Sequence, residues 1–192
     1  MSRQSLGPQS PAQYANLAVA SRGSTNAALR LSSHLFQRPG EIRTIRWDNV
    51  DLESAIWTIP AGDTKMRREH RVPLSRQALK IIRLVQDASQ YSVYVFPSFN
   101  PRKPLSENAV NGALKRLGYG GVMTAHGFRT TASSLLNESN RWSPDAIERA
   151  LAHQDSNAVR AVYNRTQYWN ERVQMMQWWS DELDAMKRLN AV

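Results

Sequence analysis

The chain has no cysteine, which excludes disulfides, thiolate zinc sites and a cysteine nucleophile. Histidine is scarce as well. His34, His70, His126 and His153 are the four present, and no two stand close enough for an HxxxH-type metal pair. No stretch approaches the run of about 20 apolar residues that a membrane span requires. The opening MSRQSLGPQSPAQ lacks the apolar core of a secretory signal. These absences point to a soluble protein of the cytoplasm, with no metal, no cofactor and no membrane partner expected. Acidic residues are the remaining shortage: 16 Asp and Glu face 25 Lys and Arg, a formal net charge of +9. An excess of that size favours polyanionic partners, nucleic acid first among them. With 192 residues, 41% of them hydrophobic, the chain can bury the core of one ordinary domain.

The basic charge is unevenly spread. Residues 22–83 hold 12 basic and 6 acidic side chains, and KMRREHR (65–71) alone holds four of the basic ones. Residues 1–12 have little to bury and read as a flexible tail. Asn26–Phe36 has helical spacing. Pro39 can open a new helix in its first turn, which Ile42, Ile45 and Arg46 would continue to an end at Asp48 to Asp51. The period then changes. AIWTIP (55–60) and HRVPL (70–74) are strand-like, and AGDT is a turn signal, so the two runs predict a hairpin with KMRRE near its tip. Helical patterns follow at about 76–89, 106–117, 127–138, 144–152 and 156–163. Ser106 and Ser143 are the expected starts of two of them. A last helix over 169–188 would bury Trp169, Val173, Met176, Trp178 or Trp179, Leu183 and Met186. The expected fold class is α+β, mainly α-helical, with a small antiparallel β-sheet in the N-terminal third.

Several polar residues invite chemistry, and each has an ordinary explanation when taken singly. His126 and Arg129 in HGFR would project from one face of a helix start, where free backbone N–H groups also attract phosphate. Arg38 in RPGE has Glu41 three residues on to buttress its guanidinium, although a surface ion pair of that kind contributes little. Lys65 lies at the hairpin tip, His153 follows an apolar pair in LAH, and Tyr163 lies in VYNR.

Taken together and in order, these residues resemble the catalytic domain of tyrosine recombinases, the phage integrase family. The likeness is greatest to integrases of satellite phages, prophages and genomic islands. The stretches RPGEIRTIRWDNVD, TKMRREHRVPLS, VFPS, LSENAVNGALKRLG, TAHGFRTTASSLLNE, IERALAH and VRAVYNR carry it, and it runs from about residue 24 to 187. The resemblance implies that Arg38, Lys65, His126, Arg129, His153 and Tyr163 are the catalytic set, with Tyr163 as the nucleophile. It implies site-specific recombination of double-stranded DNA at attachment sites, for integration or excision of a mobile element. A 3′-phosphotyrosyl intermediate would form without metal or cofactor. A tetramer would assemble on DNA from a chain that is monomeric in solution. Candidate phosphate contacts are Arg67, Arg68, Arg71, Lys103, Lys115 and Arg116. Residues 13–192 would form the catalytic domain of a longer integrase, the family's upstream arm-type and core-binding domains having no counterpart before residue 24. Two other functions are compatible: strand relaxation like that of type IB topoisomerases, and a non-catalytic DNA-binding or regulatory relative of the same fold. For the last helix, packing within its own domain stands against docking on a neighbouring protomer.

Overall fold

The structure is a computed structural model, which describes residues 11–64, 67–153 and 168–189. The first helix, α1 (Pro11–Leu35), begins well before the predicted Asn26. Its early turns are alanine-rich, which favours helix, while the exposed Gly23 interrupts the apolar pattern without ending the helix. Ala27, Ala28, Leu31 and Leu35 are buried and form the centre of the core. The helix stops at Phe36, whose φ of 42° is left-handed.

Helix α2 (Pro39–Arg43) starts at Pro39 as the sequence suggests, but it ends at Arg43 rather than at Asp48 to Asp51. Arg46 leaves the helix to form an antiparallel bridge with Tyr94, locked on either side by Trp47 N–H donating to Val93 and Val95 N–H donating to Ile45, at 3.0 and 2.9 Å. Three short strands follow: β1 (Val50–Asp51), β2 (Ile56–Ile59) and β3 (His70–Pro73). They form an antiparallel sheet in the order β1-β2-β3, with Ile59 opposite His70 at the loop end of the predicted hairpin. The alternation of Trp57 and Ile59 fixes this register by turning both into the core.

Helix α3 (Arg76–Leu84) is capped by Ser75, whose hydroxyl accepts from Ala78 N–H. Helix α4 (Ala109–Leu114) is shorter than the pattern over 106–117; it starts after Asn108, and a wider turn over 115–119 follows it, containing Gly118 at φ 89°. Helix α5 (Gly127–Glu138) has the predicted bounds, and α6 (Pro144–Ala150) is capped by Ser143. The helix expected over 156–163 lies outside the described residues.

Helix α7 (Trp169–Leu189) packs on its own domain, against α1, α3, α6 and β3. Its buried face is Arg172, Met175, Met176, Trp179 and Ser180; Met176 and Trp179 are there as predicted, and Leu183 packs against the core as a partly buried residue. Val173 and Met186 are exposed. The unforeseen member is Arg172, which is buried because its guanidinium donates to the Arg71 carbonyl and lies against the Trp169 ring. No helix among the described residues is long and apolar enough to cross a membrane.

Candidate functional site

The last turn of a helix leaves its carbonyls without intrahelical partners and carries partial negative charge. At the end of α6 three successive carbonyls, those of Ala150, Leu151 and Ala152, are met by side chains from other parts of the chain. Gln37 Nε2 donates to Ala150 at 2.8 Å. Arg129, from the first turn of α5, donates to Leu151. Arg38, immediately before α2, donates to Ala152 at 3.0 Å. The second Arg129 Nη group reaches the carbonyl of Phe36, at the end of α1, at 3.4 Å. Two helix C-termini therefore hold the two arginines. Both chain reversals, at Phe36 and Ala152, place a non-glycine residue in the left-handed region, with φ of 42° and 49°, a conformation that stores a small strain.

The expected contact between Arg38 and Glu41 is present. The buried Glu41 carboxylate accepts from the Arg38 guanidinium at 3.1 Å and from its backbone N–H at 3.0 Å. This fixes the root and the tip of one side chain together. Arg129 is only 4% exposed. Burial, and next the charge of Arg38, lower its pKa to about 10, so it remains a cation at neutral pH. The two guanidiniums share one neighbourhood, since the carbonyls that they meet, Leu151 and Ala152, are adjacent in the chain.

His153 follows Ala152 directly and is exposed; its Nδ1 lies 2.8 Å from Glu148 Oε2. His126 stands at the start of α5, one turn before Arg129, with an exposed side chain and with its carbonyl accepting from Arg129 N–H at 3.1 Å. The structure thus brings Arg38, Arg129 and His153 to one helix end and sets His126 one turn away from Arg129. Lys65 and Tyr163 lie outside the described residues. Thr64, beside Lys65, is buried. Its hydroxyl donates to the Arg68 carbonyl at 2.8 Å and accepts from Arg68 N–H at 3.1 Å, which ties the two sides of the hairpin end together.

Among the candidate phosphate contacts, Arg67, Arg68, Lys103, Lys115 and Arg116 are exposed. Arg71 differs: it is half-buried, with its guanidinium 4.7 Å from the Trp169 ring centre. Sequence reasoning missed two buried polar residues at the site, Gln37 and His70. His70 on β3 faces the Ala150 carbonyl. Burial above all, then the charges of Arg172, Arg149 and Arg129, push its pKa down to about 3. Its Nε2 and the Oε1 of Gln37 are buried without a partner among the described residues. A glutamine after a helix and a histidine in a strand carry no local signal of such a place.

The helical domain with its small three-stranded sheet has the fold of a solved integrase. The chain superposes on the integrase from mycobacterium phage Brujita with a TM-score of 0.61 at 21% identity, over 92% of this chain and 59% of that one. The phage integrase family model matches residues 11–169, and the chain belongs to that family. It is 47% identical over 149 residues to the prophage integrase IntA of Escherichia coli K12, covering 77% of this chain and 36% of that protein. It is 44% identical over 176 residues to the prophage integrase IntZ of the same strain, covering 92% of this chain and 44% of that protein. The chain thus spans less than half the length of these relatives.

Proposed function

We propose that the chain is the catalytic domain of a site-specific tyrosine recombinase that cleaves and rejoins DNA strands. The observation that carries this reading is the convergence of Arg38 and Arg129 on adjacent carbonyls immediately before His153. Attack on a phosphodiester gathers negative charge on its non-bridging oxygens. Preorganised donors at that position stabilise the transition state more than the ground state. Arginine suits the task because its planar fork grips two phosphate oxygens and stays charged at working pH. Carbonyls at a helix end hold such forks in place without neutralising them.

In this reading the Tyr163 oxygen attacks the phosphorus, a 3′-phosphotyrosyl ester forms, and the 5′-oxygen leaves as a hydroxyl. Lys65 supplies the proton to that oxygen, His153 donates to the phosphate, and His126 either takes the Tyr163 proton or holds the phosphate. The ester conserves the bond energy, so a 5′-hydroxyl can reverse the step and reseal the strand. The substrate is double-stranded DNA, the working assembly is a tetramer on paired attachment sites formed from monomers in solution, and the setting is the cytoplasm of a host carrying a mobile element. The relatives' names, prophage integrases among them, support that setting.

The test uses nicked duplexes with a randomised core, which trap the cleaved strand by releasing a short fragment. Wild-type protein is expected to leave a covalent protein–DNA adduct on a denaturing gel, and Tyr163→Phe none. An undiminished adduct in Tyr163→Phe would remove Tyr163 as the nucleophile, with Tyr168 the next hydroxyl to test.

A further inference from the structure

Arg38 also borders a groove of about 510 Å3 that follows α2 to Arg46 and Tyr94, with Glu41, Arg43 and Asp63 on its walls. We propose that this groove seats the DNA backbone next to the phosphate held at Arg38, with Arg46 as a phosphate ligand and Tyr94 as its rigid support. This rests on the function proposed above and extends it to residues outside the six-membered set.

Three features favour the assignment. The first is preorganisation. Arg46 and Tyr94 face each other across the antiparallel bridge, and the Arg46 guanidinium lies 5.6 Å from the Tyr94 ring centre. The ring limits the rotamers that a surface arginine would otherwise sample, so less entropy is lost when an anion binds. The second is availability. Arg43 is committed to the Leu105 carbonyl at 3.2 Å and to Glu107 at 3.3 Å. Arg46 forms no ion pair among the described residues.

The third is the ligand's own geometry. Duplex DNA carries one negative charge per about 1.7 Å of its axis. Once one phosphate is held at Arg38, further phosphates must pass along the adjoining wall. A small free anion would be satisfied at a single arginine and has no use for a row of them. The contact is to backbone, so it adds affinity and fixes orientation without reading sequence. Two carboxylates stand on the wall, Glu41, paired with Arg38, and Asp63. Asp63 is the one to test. Its carboxylate has no ion-pair partner among the described residues and would repel the same backbone, so its removal has the opposite sign.

The experiment measures binding of a fluorescein-labelled, mixed-sequence duplex by anisotropy over a series of salt concentrations. Arg46→Gln is expected to make the slope of log K against log salt shallower by about 0.9, and to weaken binding about eightfold at 0.1 M relative to the 1 M reference. Arg46→Lys keeps the charge and should keep the slope, which separates a phosphate contact from a folding defect. Asp63→Asn should tighten binding, and Arg188→Gln, exposed on α7, should leave it unchanged. Equal slopes for wild type and Arg46→Gln overturn the proposal. Equal slopes together with a wild-type covalent adduct would remove the groove alone and leave strand cleavage standing. Absence of both DNA binding and adduct in the wild type would remove the two together.

Discussion

Two buried polar clusters of the domain are built on different principles. One lies where α1, α3 and α7 meet. His34 Nδ1 is 3.0 Å from the Ser180 hydroxyl, which is 2.7 Å from the Ser75 hydroxyl, and Ser75 in turn caps α3. Trp179 packs beside it, edge-on to Phe36 with ring centres 6.0 Å apart, and its indole N–H donates to the Ser33 carbonyl at 2.8 Å. The other lies at the end of α6, where Arg129, Gln37 and His70 are buried beside Arg38, and two buried polar atoms have no partner among the described residues. The first cluster joins hydroxyls and an imidazole at a helical seam, a use of polar groups that fixes packing. The second gathers like charges at a cost in desolvation and repulsion. Its arrangement makes sense as preparation for an anion.

The contrast predicts that stability and activity separate between the two places. Trp179→Ala should cost about 3–5 kcal/mol through cavity formation, a fall in melting temperature of roughly 6–20 °C for a chain of this size. Cleavage per folded molecule, scored by adduct formation below the melting range, should change little. Arg129→Met should do the reverse. Losing one preorganised donor is expected to lower the cleavage rate by about 10²–10³-fold, while the melting temperature falls less than in Trp179→Ala. If both variants lost stability and activity in parallel, the two clusters would have to be regarded as one structural unit.

The same contrast separates what could be read from the residues in order from what could not. The hairpin was legible because two runs rich in β-branched and aromatic residues flank the AGDT turn signal, and α5 was legible because its apolar positions keep helical spacing between clear breaks. The end of α2 was not. Ile45 and Arg46 continue a helical spacing, and only the distant Tyr94 strand, pairing with Arg46, pulls them out of it. The early turns of α1 carry helix propensity without an apolar stripe. On α7, Met176 and Trp179 were legible from their apolar spacing, whereas Arg172 was not, since its burial depends on the Arg71 carbonyl, remote in sequence. At the site, Arg38, Glu41, Arg129 and His153 were recognisable as a constellation. Gln37 and His70 were not, since their roles depend on α6 carbonyls that are remote in sequence.

His70 offers a smaller effect and a sign. Its pKa in the folded protein is about 3, against about 6.5 for an unperturbed histidine. Between these values the unfolded chain binds a proton that the folded chain refuses. Stability is therefore unaffected by this group above pH 6.5 and declines as the pH falls below it, by up to about 1.4 kcal/mol per pH unit. Going from pH 7 to 5 should cost the wild type about 2 kcal/mol more than it costs His70→Gln. Urea unfolding of both proteins at the two pH values measures this. Equal losses would show that the cationic cluster tolerates a further proton, contrary to the strain described for it.

The smallest effect tests whether that strain is held in the backbone as well. Ala152 combines a left-handed φ of 49° with a carbonyl that accepts from Arg38. Glycine reaches this conformation without the Cβ clash, which costs other residues about 1–2 kcal/mol. It also loses about 0.5–1 kcal/mol more entropy on folding. The balance for Ala152→Gly is a gain of up to about 1.5 kcal/mol, or up to about 3–6 °C in melting temperature. The substitution leaves every side chain of the arginine cluster in place, so the gain is purely one of backbone conformation. It should bring no rise in cleavage rate, since the turn that it relaxes is the one that aims Arg38. A lower melting temperature would show that Ala152 adopts its left-handed turn without cost, and would confine the strain at the end of α6 to its charged side chains.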